Sequence, residues 1–146
     1  MKSILFVCHG NICRSPMAEY IFKHICKNKY IVESRATSRE EIGNDMHYKT
    51  KEQLNIHNIP YKRHYAKQIT IEDYNYFDVI VCFDEYNVNN LKRMFKDTSK
   101  VIKLLDKDVD DPWYTSDFFK TYDEIYNGCI NLLKNLEEKL WKESYL

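Results

Sequence analysis

Residues 4–16 read Ile-Leu-Phe-Val-Cys-His-Gly-Asn-Ile-Cys-Arg-Ser-Pro, an apolar run that stops at a cysteine and restarts as a helix. Residues 4–7 are apolar without interruption, the pattern of a strand buried on both faces. Ser15-Pro16 marks a helix start, since serine is a favoured cap and proline suits the first helical position, where no amide hydrogen is needed. Met17, Tyr20, Ile21, His24 and Ile25 then recur at helical spacing. A strand that turns this directly into a helix opens an α/β unit.

The remainder of the chain continues the alternation. Residues 30–34 (YIVES) predict a second strand, and residues 47–57 a helix carrying Leu54. Residues 77–83 (FDVIVCF) predict a central parallel strand, with Asp84 placed to cap a following helix that presents Val88, Leu91 and Phe95. Residues 101–105 suggest a fourth strand. A long final helix is signalled by Phe118, Tyr122, Ile125, Tyr126, Cys129, Leu132, Leu133, Leu136 and Leu140. The expected fold is α/β, one domain over residues 1–146: a four-stranded parallel sheet with right-handed crossovers and helices on both faces. Ligands of such sheets bind beyond the carboxyl ends of the strands, so chemistry is expected just after Val7, Phe83 and Leu105.

Composition narrows the partners. A chain of 146 residues has room for one core. Its 22 Lys and Arg balance 22 Asp and Glu, which argues against bulk attraction to nucleic acid or anionic lipid. The first apolar run is too short for an export signal, and no stretch is long enough to span a bilayer. Five cysteines (Cys8, Cys13, Cys26, Cys82 and Cys129) form an odd set, best read as reduced thiols in a cytoplasmic protein. A monomer or weak dimer is expected, with no membrane insertion. With only three glycines, each is expected to mark a special backbone path, Gly10 included.

The loop after the first strand has the makings of an anion cradle, because a short strand-to-helix turn points amides inward and adds the positive end of the helix dipole. Cys8 sits at the strand end and Arg14 six residues on. Amides and a guanidinium favour a cysteine thiolate, the attacking form. Arginine's planar fork grips two phosphate oxygens at once and opposes the charge of a phosphoryl-transfer transition state. Asn11 can brace the loop, and the Ser15 hydroxyl can donate to the sulfur. The bland alternative makes Cys8 a buried strand end and Arg14 a surface cation.

The stretch VCHGNICRSPMAE resembles the signature of the low-molecular-weight protein tyrosine phosphatases, and AKQIT at 66–70, FDVIVCFDEYN at 77–87 and DPWY at 111–114 follow in family order. The resemblance implies a phosphotyrosine phosphatase I-like fold and a phosphotyrosine-containing protein or peptide as substrate. It implies Cys8 as nucleophile, Arg14 as phosphate clamp, and His9, Gly10, Asn11, Ile12, Cys13 and Ser15 as the rest of the loop.

A departing tyrosine oxygen needs a proton, and the segment LLDKDVDDPWY offers Asp106, Asp108, Asp110 and Asp111. Pro112 restricts the residue before it, which would help to aim Asp111; Asp110 is the rival, and an acidic surface turn the plain alternative. The resemblance selects Asp111, the acid of an Asp-Pro pair. Trp113 and Tyr114 are candidate walls for a substrate ring, with core packing an equal reading of Trp113.

Other residues set the margins. Cys13 could trap an oxidised Cys8 as a disulfide, a role the resemblance supports. Cys8, His9 and Cys13 make a poor metal site, since no second cluster lies nearby in sequence, and no metal or other cofactor is expected. Cys26, Cys82 and Cys129 read as core, and no histidine is given a catalytic role. Alignment through Gly43 sets Glu40 where the family has an aromatic or apolar wall residue, which implies a preference for basic peptides. Lys67 stands for a frequent arginine, and His47-Tyr48 for an Asp-Pro helix start. An arsenate reductase of this fold would need two further cysteines, and Cys82 has no partner in the next dozen residues. A protein-arginine phosphatase is the nearer alternative, against which apolar Ile12 stands. A phosphotyrosine-binding module or a phosphocysteine carrier would not need Cys8, Arg14 and a remote acid together.

Overall fold

The computed structural model describes residues 2–145. Strand β1 (Ser3–Cys8) has all six residues buried, because it lies inside the sheet between β2 (Ile31–Ala36) and β3 (Val79–Cys82). With β4 (Val101–Lys103) outside β3, the order is β2-β1-β3-β4 and every pairing is parallel. The register aligns Cys8 with Ala36 and Cys82 with Lys103, so the carboxyl ends of the strands open on one side of the molecule.

Strand alternation divides the core. Ile4, Phe6 and Cys8 face one layer, packed with Met17, Ile21 and Phe22 of α1 (Arg14–Cys26), Leu54 of α2 (Tyr48–Ile56) and Tyr122, Ile125 and Cys129 of α6 (Phe118–Tyr145). Leu5 and Val7 face the other, packed with Tyr74 of α3 (Ile71–Tyr76) and Leu91 of α4 (Glu85–Phe95). Each fully buried aliphatic or aromatic side chain contributes about 1.5–3 kcal/mol, so both helical layers are held by the same central strand. The expected architecture is found: four parallel strands with helices on both faces, and Cys26, Cys82 and Cys129 buried in the core.

The differences are local. Residues 104 and 105 fall outside β4, although the Leu104 amide still donates to the Cys82 carbonyl at 2.8 Å. The sequence reading leaves α3 unassigned, yet Thr70 and Asp73 form a capping box there, each side chain bonded to the other's backbone amide. Ser15 is no cap. Helix α1 begins at Arg14 after Cys13, with no side-chain cap bond, and Pro16 lies third in the helix. Nor does Gly10 carry the unusual backbone: the left-handed residue of that loop is Asn11, at φ 60°. Gly128 is the closely packed glycine: a Cβ there would stand 2.6 Å from Leu104 Cγ, just beyond the end of β4, so the leucine would have to move.

Candidate active site

Four loops meet at the carboxyl edge of the sheet. The first, residues 9–13, joins β1 to α1 and wraps the Cys8 sulfur. The Asn11 amide donates to Cys8 Sγ at 3.3 Å, and the Ser15 hydroxyl lies 3.0 Å from it. Ser15 Oγ itself accepts from Asn11 Nδ2 at 2.8 Å, so its own hydrogen is left to point at the sulfur or at the Arg35 carbonyl, 3.4 Å away. These donors are placed to hold negative charge on sulfur. The amides of Arg14 and Ser15 belong to the helix start, where no intrahelical acceptor exists.

Asn11 is the hub beneath that loop. Asparagine tolerates the left-handed region better than most residues, which admits this turn without glycine. Its Nδ2 also donates to Ser34 Oγ at 3.0 Å, its Oδ1 accepts the Lys67 amide at 3.1 Å, and its carbonyl accepts from His64 Nε2 at 2.7 Å. Ser34 in turn donates to Glu19 Oε1 at 2.6 Å. A buried string therefore runs from Glu19 through Ser34, Asn11 and Ser15 to Cys8. Lys67 contributes its backbone amide to Asn11, and the residue is exposed. Burial lowers the His64 pKa below the ordinary imidazole value, against the Asn11 bond that favours its protonated ring. Glu19, Ser34 and His64 escape a reading of sequence, because nothing local ties them to the loop.

Arg14 is 2% exposed and reaches across to two other loops. Its Nη1 donates to Asp84 Oδ2 at 2.7 Å and to the Val109 carbonyl at 2.8 Å, while Nη2 lies 3.5 Å from Asp111 Oδ2. Its Nε is buried with no hydrogen-bond partner among the described residues. Burial opposes the guanidinium's charge, but Cys8, Asp111 and Asp84 outweigh it and raise the pKa further. A surface cation is thus the wrong reading of Arg14. Asp84 caps α4 as expected, accepting the Asn87 amide at 2.7 Å through Oδ1, and its second oxygen does the unexpected work of orienting Arg14.

Asp111 caps α5 (Pro112–Thr115), accepting the Trp113 amide at 3.1 Å, with Pro112 at the first helical position. The rival Asp110 points away: its side chain is 62% exposed and lies 3.8 Å from Lys120. Asp108 is engaged with Lys103 and the Glu85 amide. Trp113 is exposed rather than core, its ring edge-on to His47 at 5.9 Å. His47 stacks on Phe118 at 4.8 Å, caps α2 by accepting the Lys49 amide, and donates its own amide to the Ile12 carbonyl at 2.9 Å. It joins the Cys8 loop to the Asp111 turn, a structural part in place of the Asp-Pro start.

The resulting cleft holds about 100 Å³. Cys8, His9, Gly10, Ile12, Cys13, Arg14, Glu40, Asp111, Trp113 and Tyr114 line it, all legible in the sequence, together with Glu41, which was not. Asn11 and Ser15 brace it from behind, being absent from the lining. Drug-sized sites run from about 300 Å³ upward, so this cleft suits one small anionic group. Burial raises the pKa of the Cys13 thiol, with Cys8 and Asp111 adding to the effect.

The family model described as low molecular weight phosphotyrosine protein phosphatase matches residues 3–142. The low molecular weight phosphotyrosine protein phosphatase of Gallus gallus is 38% identical, over 95% of this chain and 96% of its own length. The low molecular weight protein-tyrosine-phosphatase YfkJ of Bacillus subtilis is 37% identical over 95% and 98%. The crystal structure of SP-PTP, a low molecular weight protein tyrosine phosphatase from Streptococcus pyogenes, superposes with a TM-score of 0.92 at 45% identity, covering 98% of each chain.

Proposed function

The chain belongs to the low molecular weight phosphotyrosine protein phosphatase family, and from that premise we propose that it hydrolyses phosphotyrosine in proteins or peptides through a phosphocysteine. The observation that carries the mechanism is the convergence of Cys8, the buried Arg14 and Asp111 on one small cleft. In the first step the Cys8 thiolate attacks phosphorus, the S–P bond forms and the P–O bond to tyrosine breaks. Asp111 delivers its proton to the departing oxygen, a contribution of about a hundred- to ten-thousand-fold. In the second step Asp111 takes a proton from water, the resulting hydroxide attacks phosphorus, and the thiolate leaves with inorganic phosphate released. Arg14 offers its unpartnered Nε and its Nη2 edge to the phosphoryl oxygens, while the loop amides oppose the same charge. The Ser15 hydroxyl, 3.0 Å from the sulfur, steadies the thiolate as it leaves.

Apolar Ile12 on the cleft wall supports the tyrosine substrate over phosphoarginine. A cytoplasmic location is part of this reading, supported by five unpaired thiols, which a reducing compartment preserves. Residues 1–146 act as one phosphatase domain. Turnover of p-nitrophenyl phosphate in the presence of chelator tests the mechanism: wild type is active, Cys8→Ser is dead, and Asp111→Asn retains a small fraction. Activity in the Cys8→Ser protein overturns it.

A further inference from the structure

The mouth of the cleft is acidic in an uneven way. Asp111 is answered by Arg14 at 3.5 Å and Asp110 by Lys120 at 3.8 Å. Glu41 accepts from Asn44 Nδ2 at 2.6 Å, an uncharged partner on its own loop. Glu40 is 69% exposed at the side chain and is held through Oε2 by His9 Nε2 at 3.0 Å. His9 follows Cys8 directly, so this contact ties the carboxylate of one loop to the residue beside the sulfur in another. Trp113 and Tyr114, both exposed, line the same cleft. Glu40 lines the same cleft of about 100 Å³ as Cys8 and Arg14, so a phosphotyrosine whose phosphoryl group enters that cleft brings its ring and flanking residues into the neighbourhood of this carboxylate.

Resting on the phosphotyrosine reading above, we propose that Glu40 is a specificity-determining residue, fixed in place by His9, that selects phosphotyrosine flanked by lysine or arginine and disfavours acidic flanks. The pinning matters because a carboxylate held in one position acts on each bound peptide alike, whereas a free side chain turns away from a like charge. Glu40 sits in solvent, so each flanking charge changes kcat/KM only about two- to fivefold. The effect is electrostatic, so it weakens as the screening length falls from about 10 Å at 0.1 M salt to about 3 Å at 1 M.

Two phosphotyrosine peptides that differ only in having two flanking lysines or two flanking glutamates provide the test, with p-nitrophenyl phosphate as a substrate without flanks. Wild type at low salt should prefer the basic peptide by more than about tenfold in kcat/KM, mostly through KM, with the ratio collapsing in 1 M salt. Glu40→Gln should cut the ratio severalfold and Glu40→Lys should invert it, whereas Glu41→Gln should keep most of it. An unchanged ratio in both Glu40 variants, or no preference in wild type that still turns over p-nitrophenyl phosphate, overturns this proposal alone. Absence of p-nitrophenyl phosphate turnover in wild type overturns the phosphatase reading and takes this proposal with it.

Discussion

Arg14 and Asp84 meet at 2.7 Å, Nη1 to Oδ2, and this contact aims the guanidinium of one helix from the start of another. Because Nη1 is already engaged by Asp84 and Val109, only the Nε and Nη2 edge is left to face the Cys8 cleft. The charge and its direction therefore come from different residues, and substitution can separate them.

Arg14→Lys keeps the charge and loses the fork. Loss of one transition-state donor of this kind costs about a hundred- to a thousand-fold in kcat, so the lysine variant should fall at least that far. Steady-state kinetics with p-nitrophenyl phosphate checks it; activity within tenfold of wild type would show that charge alone suffices.

Asp84→Asn keeps a good helix cap but offers Arg14 no full negative charge. The melting temperature should move little, while kcat drops by about tenfold or more as the guanidinium loosens. Thermal melts beside kinetics separate the two roles, and a parallel loss of both would make Asp84 a cap and no more.

Asn11→Ala removes the bonds to Ser15, Ser34 and Lys67 while leaving a Cβ at φ 60°. A cost of about 2–4 kcal/mol follows from strain plus buried groups left unpaired. Asn11→Gly relieves the strain but restores no bond. Denaturant unfolding should rank the three proteins wild type, Gly, Ala.

Stability should fall with acid through His64. Its folded-state pKa is lowered, first by burial, so the unfolded chain takes up a proton before the native one does. The contribution is full above the unfolded value of about 6.5 and is lost as pH drops through it, levelling below the folded pKa. His47, also lowered by burial and then by Lys49, acts in the same direction. His64→Gln should flatten the slope of unfolding free energy between pH 7 and 5, as measured by urea titration.

Gly128→Ala tests the packing of α6 against Leu104. Alanine improves helix propensity by about 1 kcal/mol, but its Cβ would meet Leu104 Cγ at 2.6 Å. Gly128 is buried and Leu104 partly buried, so a net loss of about 1–3 kcal/mol is expected from overpacking. A raised melting temperature would show that Leu104 gives way freely.

The sequence by itself determined the sheet architecture and most of the residues that line the cleft. An apolar run over residues 4–7, with side chains on both faces, can be satisfied only inside a covered sheet, and helical spacing of Met17, Tyr20, Ile21 and Ile25 follows at once; those are local, periodic facts. Cys8 and Arg14 lie six residues apart, so one turn sets them both, and Pro112 restrains Asp111 at its own neighbour. What the tertiary structure alone decided is how these groups are aimed. Ser34 and His64 are brought under Asn11, with Glu19 behind Ser34, and Asp84 and Val109 under Arg14, from places 23 to 95 residues away for the direct contacts. Hydrogen-bond direction and burial depend on which loops meet at the sheet edge, and no spacing along the chain encodes that meeting.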